Sequence, residues 1–157
     1  MGLDTTHDCW HGAYSAFMRW RKKLAEVAGL PPLELMEGFY YFDGTGTLQA
    51  VRCALKTWTM KPMDWLAESI EVLEQSLPIK WDCLKPDVLY ELLSHSDCDG
   101  ELAPELCGPL ADRLEELLPL LPDEENWGHI GNWKEKTQAF IDGLRTAAAA
   151  NESVGFH

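Results

Sequence analysis

Apolar residues at helical spacing constrain this chain more than any other feature. Between Trp10 and Ala28, the residues Trp10, Ala13, Tyr14, Phe17, Trp20, Leu24 and Val27 fall on one broad face of an α-helix, and Gly29 with Pro31-Pro32 ends the pattern. A face this wide has to be buried against other elements, so a chain built on it is a helical domain. Arg21 is the exception on that face. At about 100° per residue it lies only some 40° from Phe17, whereas Arg19 falls on the far side. A guanidinium in that position must be paired, and the simplest partner in this acidic chain is an internal Asp or Glu.

The same period recurs downstream. One helix is predicted over Pro62 to Ser76, with Met63, Leu66, Ile70 and Leu73 on one side and Pro78 closing it. Pro86 suits the first turn of another that runs to about His95 and carries Leu89, Leu92 and Leu93 inward. Gly108-Pro109 opens a third, whose Leu110, Leu114, Leu117, Leu118 and Leu121 make the clearest amphipathic stripe before Pro122. The last runs from Trp133 to about Ala150 on Phe140, Ile141 and Leu144. Only Phe39-Tyr40-Tyr41-Phe42, followed by Asp43-Gly44-Thr45-Gly46 and a return from Thr47 to Arg52, reads as β. The expectation is therefore a mainly α, compact single-domain bundle over residues 1–157. It has four or five helices, a small β-hairpin near residues 39–52, and a frayed tail at 151–157 in which Phe156 is apolar enough to tuck back.

Charge and cysteine usage narrow the function. With 26 Asp and Glu against 13 Lys and Arg, the formal charge of -13 repels phosphate backbones and anionic membranes. Non-specific nucleic-acid binding and membrane association are not expected, while a basic protein partner is compatible. Apolar residues make up 46% of the chain, enough for a core without covalent staples. Cysteines at 9, 53, 83, 98 and 107 form no CxxC pair, so reduced thiols in a cytoplasmic setting are the expectation. No export signal or bilayer-length apolar run is read. The GxSxG, HExxH, kinase and zinc-deaminase signatures are all missing.

Two polar segments carry residue types that do chemistry. In Asp4-Thr5-Thr6-His7-Asp8-Cys9-Trp10-His11, His7 and His11 stand four apart, the spacing that puts two imidazoles on one helical face if the helix already includes His7. Asp4, Asp8 or Cys9 then offers a third metal ligand. His7, His11, Tyr14 and Arg21 share a flank that supplies a cation, two titratable rings and a phenol for a small polar, phosphorylated or anionic ligand. The plain alternative is that Thr6 or Asp8 caps the helix.

The second segment is Ser94-His95-Ser96-Asp97-Cys98-Asp99-Gly100-Glu101-Leu102. With Gly100 at the sharp turn it matches the middle of an EF-hand loop, Asp97 and Asp99 falling on ligand positions. His95 then stands where the first Asp belongs and Leu106 where the bidentate Glu belongs, so the calcium reading loses two essential ligands. His95, Asp97, Asp99 and Glu101 suit another divalent metal less specifically, and an Asx-turn explains the same residues with no ligand at all. A further turn, Gly38 to Gly46, reads as a hairpin rather than a phosphate loop, since no P-loop Lys follows.

Taken together, Thr6-His7-Asp8-Cys9-Trp10-His11-Gly12-Ala13-Tyr14-Ser15-Ala16-Phe17 and His95-Ser96-Asp97-Cys98-Asp99-Gly100-Glu101 resemble a family of short uncharacterised bacterial, prophage and phage proteins. The resemblance extends to Phe140-Ile141-Asp142-Gly143-Leu144 and Asn151-Glu152. A phage setting implies a role in countering host processes, for example by sequestering a nucleotide-derived immune signal.

Three functions stay open. The first is a non-enzymatic binding protein for a small polar, nucleotide-like ligand held by His7, His11, Tyr14, Arg21, His95, Asp97 and Asp99. The second is a divalent-metal-dependent hydrolase in which His7, His11, His95, Asp97 and Asp99 are ligands and Glu101 is the general base. The third is an acidic protein-interaction module. Binding without catalysis is preferred, because the catalytic signatures are missing.

Overall fold

The computed structural model describes residues 2–39, 77–123, 125–126 and 131–157. The predicted hairpin, apart from Phe39, and the predicted helix over residues 62–76 lie outside them.

The chain opens as a hairpin, not a helix. β1 (Gly2–Asp4) pairs antiparallel with β2 (His11–Ala13), in the register Gly2↔Ala13, Leu3↔Gly12 and Asp4↔His11. A 3₁₀ turn at Thr6–Asp8 joins them, with His7 and Asp8 both in the left-handed region at φ 59° and 55°. Thr5 closes this loop: its hydroxyl accepts from the Trp10 N–H at 2.7 Å, and its own N–H donates to Trp10 O at 3.0 Å. α1 (Tyr14–Val27) follows directly. The predicted start near Trp10 is thus corrected, because cross-strand pairing already satisfies the backbone of residues 11–13. The buried face of α1 is the one its period defines, with Phe17, Trp20, Arg21 and Leu24 all fully buried.

A short α2 (Leu89–Leu93) buries Leu89, Leu92 and Leu93 as expected. β3 (Glu101–Leu102) leads into α3 (Pro104–Leu117), which starts earlier than Gly108-Pro109 suggests. Pro104 occupies the first turn, where its missing N–H costs nothing, and Pro109 lies on the exposed side of the continuing helix. Leu110, Leu114, Leu117 and Leu121 line the core, and Leu118 is half-buried.

β4 (Glu125–Asn126) and β5 (Gly131–Asn132) pair antiparallel before α4 (Trp133–Ala150). Asn132 caps α4 by accepting from the Lys134 N–H at 2.9 Å. α3 and α4 form the main helix pair of the described residues. Arg145 of α4 bridges Asp112 at 2.6 Å and Glu115 at 2.9 Å on α3. The core is aromatic where α1 meets α4: the Trp20 and Phe140 ring centroids lie 4.8 Å apart, and Trp20 Nε1 donates to Thr137 Oγ1 at 2.9 Å.

The tail is ordered, correcting the frayed end expected at 151–157. Asn151 ends α4 in the left-handed conformation, φ 55°. β6 (Val154–Gly155) then pairs with β3, Glu101↔Gly155 and Leu102↔Val154. Its continuation pairs on the other side with the first strand, since Asp4 and His157 exchange N–H···O bonds of 2.9 and 3.0 Å. Phe156 is buried against Phe17 at a centroid distance of 6.0 Å. Strands from residues 2–5, 11–13, 100–102 and 154–157 are thus laced together beside α1. Among the described residues, no helix is long and apolar enough to cross a membrane.

Candidate functional site

Arg21 is the centre on which the second polar segment, Ser94 to Leu102, is anchored. Projecting from the buried face of α1, it is wholly inaccessible to solvent. Nη1 donates to the carbonyls of Leu93 at 3.3 Å and His95 at 2.7 Å, and Nη2 donates to the Asp97 carboxylate. The internal acid expected from the sequence is therefore Asp97. Burial lowers the pKa of the guanidinium, and the Asp97 charge opposes that shift. Its Cζ lies 4.7 Å from the Phe17 ring centroid and 6.0 Å from that of Phe39. Nε is buried, and no hydrogen-bond partner reaches it among the described residues.

Arg21 pins the turn after α2 onto α1, and His95 then sits at the edge of the strand cluster. Its Nδ1 donates to the Ser96 carbonyl at 2.8 Å, which leaves the Nε2 lone pair of the neutral ring unbonded by that contact. The ring stacks on Phe156 with centroids 4.1 Å apart. Gly100 is required beside it: its φ is 91°, and a Cβ there would stand 3.3 Å from His95 Cε1. Glu101 accepts from Ser153 Oγ at 2.6 Å and so ties β3 to the tail. Asp99 is exposed on the turn.

The first polar segment is arranged otherwise than helical spacing suggests. His7 lies in the 3₁₀ turn and His11 in β2, so the two share no helical face. His11, with its side chain 88% exposed, pairs through Nδ1 with Asp4 directly across the hairpin. His7 instead bonds to Glu152 of the tail at 2.8 Å and to Thr6 at 3.1 Å. Tyr14 is half-buried at the start of α1. Arg21, His95 and Asp97 thus come together, while His7 and His11 each take a different carboxylate. Among the described residues, no three His, Cys, Asp or Glu side chains are gathered so as to hold a metal ion.

Three half-buried rings extend from the Arg21 junction, a feature the sequence hid. Phe39 meets Trp81 edge-on at 5.9 Å, and Trp81 lies 6.3 Å from Tyr90. Trp81 Nε1 donates to Glu37 O at 2.9 Å, holding the indole in place. The three come from the stretch after α1, from a 3₁₀ turn (Trp81–Leu84) and from α2, so no periodicity links them. Glu152 was equally hidden, being 145 positions from His7.

These features define a mainly α domain with small antiparallel strand pairs and a buried Arg–Asp junction beside an aromatic cluster. Compared with protein-family models, curated proteins and solved structures, the chain has no significant match.

Proposed function

We propose that this chain is a binding protein for a small, planar, polar ligand of nucleobase or nucleotide chemistry. The observation that carries this reading is the half-buried Phe39–Trp81–Tyr90 cluster beside a carboxylate held in place by a buried guanidinium. Aromatic faces stack on a planar ring, and a fixed acceptor such as Asp97, whose side chain is 30% exposed, meets the ring N–H or exocyclic amine of a base. The Arg21 charge is already matched by Asp97, and the whole chain carries -13. The base, rather than a phosphate, is therefore what this junction recognises. His95 lies on the same turn and completes the polar edge. In the phage setting that the sequence resemblance implies, such a protein sequesters a nucleotide-derived signal. The metal-dependent reading has no gathered ligand set among the described residues, so binding is favoured over it.

Thermal unfolding and tryptophan fluorescence in the presence of nucleosides, nucleotides and cyclic nucleotides test the proposal. At a ligand concentration one hundred times Kd, linkage adds about 2.7 kcal/mol of stability, a readily measured rise in Tm. The expected result is a saturable quench that Trp81→Ala removes while the variant stays folded. No shift with any of these compounds, or an undiminished shift in Trp81→Ala, would overturn it.

A further inference from the structure

Thr6, His7 and Glu152 form a hydroxyl–imidazole–carboxylate relay where the first turn meets the tail. Thr6 Oγ1 lies 3.1 Å from His7 Nδ1, and His7 Nε2 lies 2.8 Å from Glu152 Oε2. An ionised carboxylate only accepts, so whenever the His7 ring is neutral the Glu152 contact places its proton on Nε2 and turns the Nδ1 lone pair toward the Thr6 hydroxyl. Activating an alcohol needs this arrangement: a nucleophile within hydrogen-bond reach of a base, and the base held in one tautomer by a third group. The Gly155 N–H donates to the same Thr6 oxygen at 2.9 Å and fixes its position beside His7. The Ser153 carbonyl, at 3.5 Å, competes only weakly for the hydroxyl proton.

Two further observations point the same way. His7 and Asp8 are consecutive non-glycine residues at positive φ, 59° and 55°, a costly conformation of the kind that clusters at functional sites. Thr6 is an exposed residue, while the His7 side chain is only 14% exposed and held from both ring nitrogens.

We propose that Thr6 is the nucleophile, His7 the general base and Glu152 the positioning residue of an acyl-transfer site that hydrolyses small activated carboxylic esters. In the first step Thr6 Oγ bonds to the ester carbonyl carbon and its proton passes to His7 Nδ1. The ester C–O bond breaks, and the departing alkoxide takes that proton, leaving acyl-Thr6. Water then attacks the acyl carbon and gives a proton to Nδ1, the acyl–Oγ bond breaks, and Thr6 Oγ recovers the proton. The sum is ester plus water to acid plus alcohol. This activity stands apart from the ligand reading above and uses none of the residues at the Arg21 junction.

The test uses the full chain, without a tag, and p-nitrophenyl acetate. A burst of one p-nitrophenolate per chain is expected, with one acetyl group retained and mapped by peptide mass spectrometry to Thr6. Thr6→Ser keeps the burst and Thr6→Val loses it, while His7→Gln slows acylation by about a hundredfold or more. Glu152→Gln lowers the first-order rate of the burst without lowering its amplitude, and Glu152→Asp recovers part of that rate, whereas mere loss of stability lowers the amplitude and leaves the rate of the remaining folded chains unchanged. Absence of a burst, acetyl groups found only on lysine or histidine, or Thr6→Val reacting as fast as the wild type would each overturn the proposal.

Discussion

Arg21 and Asp97 do not matter equally to stability, and the difference is measurable. Removing the carboxylate with Asp97→Ala leaves a fully buried guanidinium whose remaining partners among the described residues are two backbone carbonyls and a thioether. Breaking a buried pair from that side costs about 3–5 kcal/mol. Arg21→Met keeps an apolar stem against Phe17 and leaves Asp97, already part-exposed, to be solvated. Asp97→Ala should therefore lower the urea midpoint more than Arg21→Met, and the reverse order would show that the guanidinium's carbonyl bonds outweigh the pair. Cys9 gives a second prediction at this scale. Burial, reinforced by Cys107, pushes its thiol from an ordinary value of 9.0 up to about 12. The folded state thus holds this proton more tightly than the unfolded chain does. The corresponding stability is complete below about pH 9 and is lost as the pH rises toward about 12. Unfolding curves across that window should decline more steeply for wild type than for Cys9→Ala. In the native state an alkylating reagent should modify the exposed Cys83 and Cys98 and spare Cys9 and Cys107.

Between elements, the 3₁₀ turn and the residue after it approach α4 closely at Gly143. A Cβ there would stand 2.4 Å from Cys9 Sγ and 2.7 Å from the His7 carbonyl oxygen. Gly→Ala in a helix ordinarily gains about 1 kcal/mol, while forcing extra volume into a packed contact costs about 1–3 kcal/mol. With backbone among the atoms that must move, strain wins, and Gly143→Ala should lower Tm. A rise would mean that the turn yields freely. The same contact marks the limit of what the sequence discloses. Helices set by local period were legible: α4 runs from Trp133 to Ala150 as read, and Arg21 was recognisable as a buried cation because its angle on α1 needs only sequence arithmetic. The strands were not. Gly2–Asp4, His11–Ala13 and Val154–Gly155 are too short to show alternation, and the last of them is held by partners distant in sequence. For the same reason a histidine spacing that suits a helix misplaced His7 and His11. His95 and Asp97 were singled out from the sequence, but their meeting with Arg21 rests on tertiary packing.

For the whole molecule, net charge sets the response to salt. A domain of 157 residues has a radius of gyration of about 15 Å. At about 0.01 M salt the Debye length is about 30 Å, so every excess carboxylate feels all the others across the molecule; at about 0.15 M it shrinks to about 8 Å and only neighbours interact. Screening also weakens the exposed ion pairs, such as Lys22–Glu34 and Lys23–Glu26, but such pairs contribute only about 0–1 kcal/mol each. Charges in contact are screened least, whereas the long-range repulsion of a net -13 is screened most. Repulsion therefore falls faster than attraction, and Tm should rise as sodium chloride is added over this range at constant pH. A fall in Tm would show that the local pairs, and not the overall charge, dominate the electrostatics of the fold. Because the Arg21–Asp97 pair is buried on its cationic side, Asp97→Ala should keep the wild-type slope of Tm against salt while losing its absolute stability.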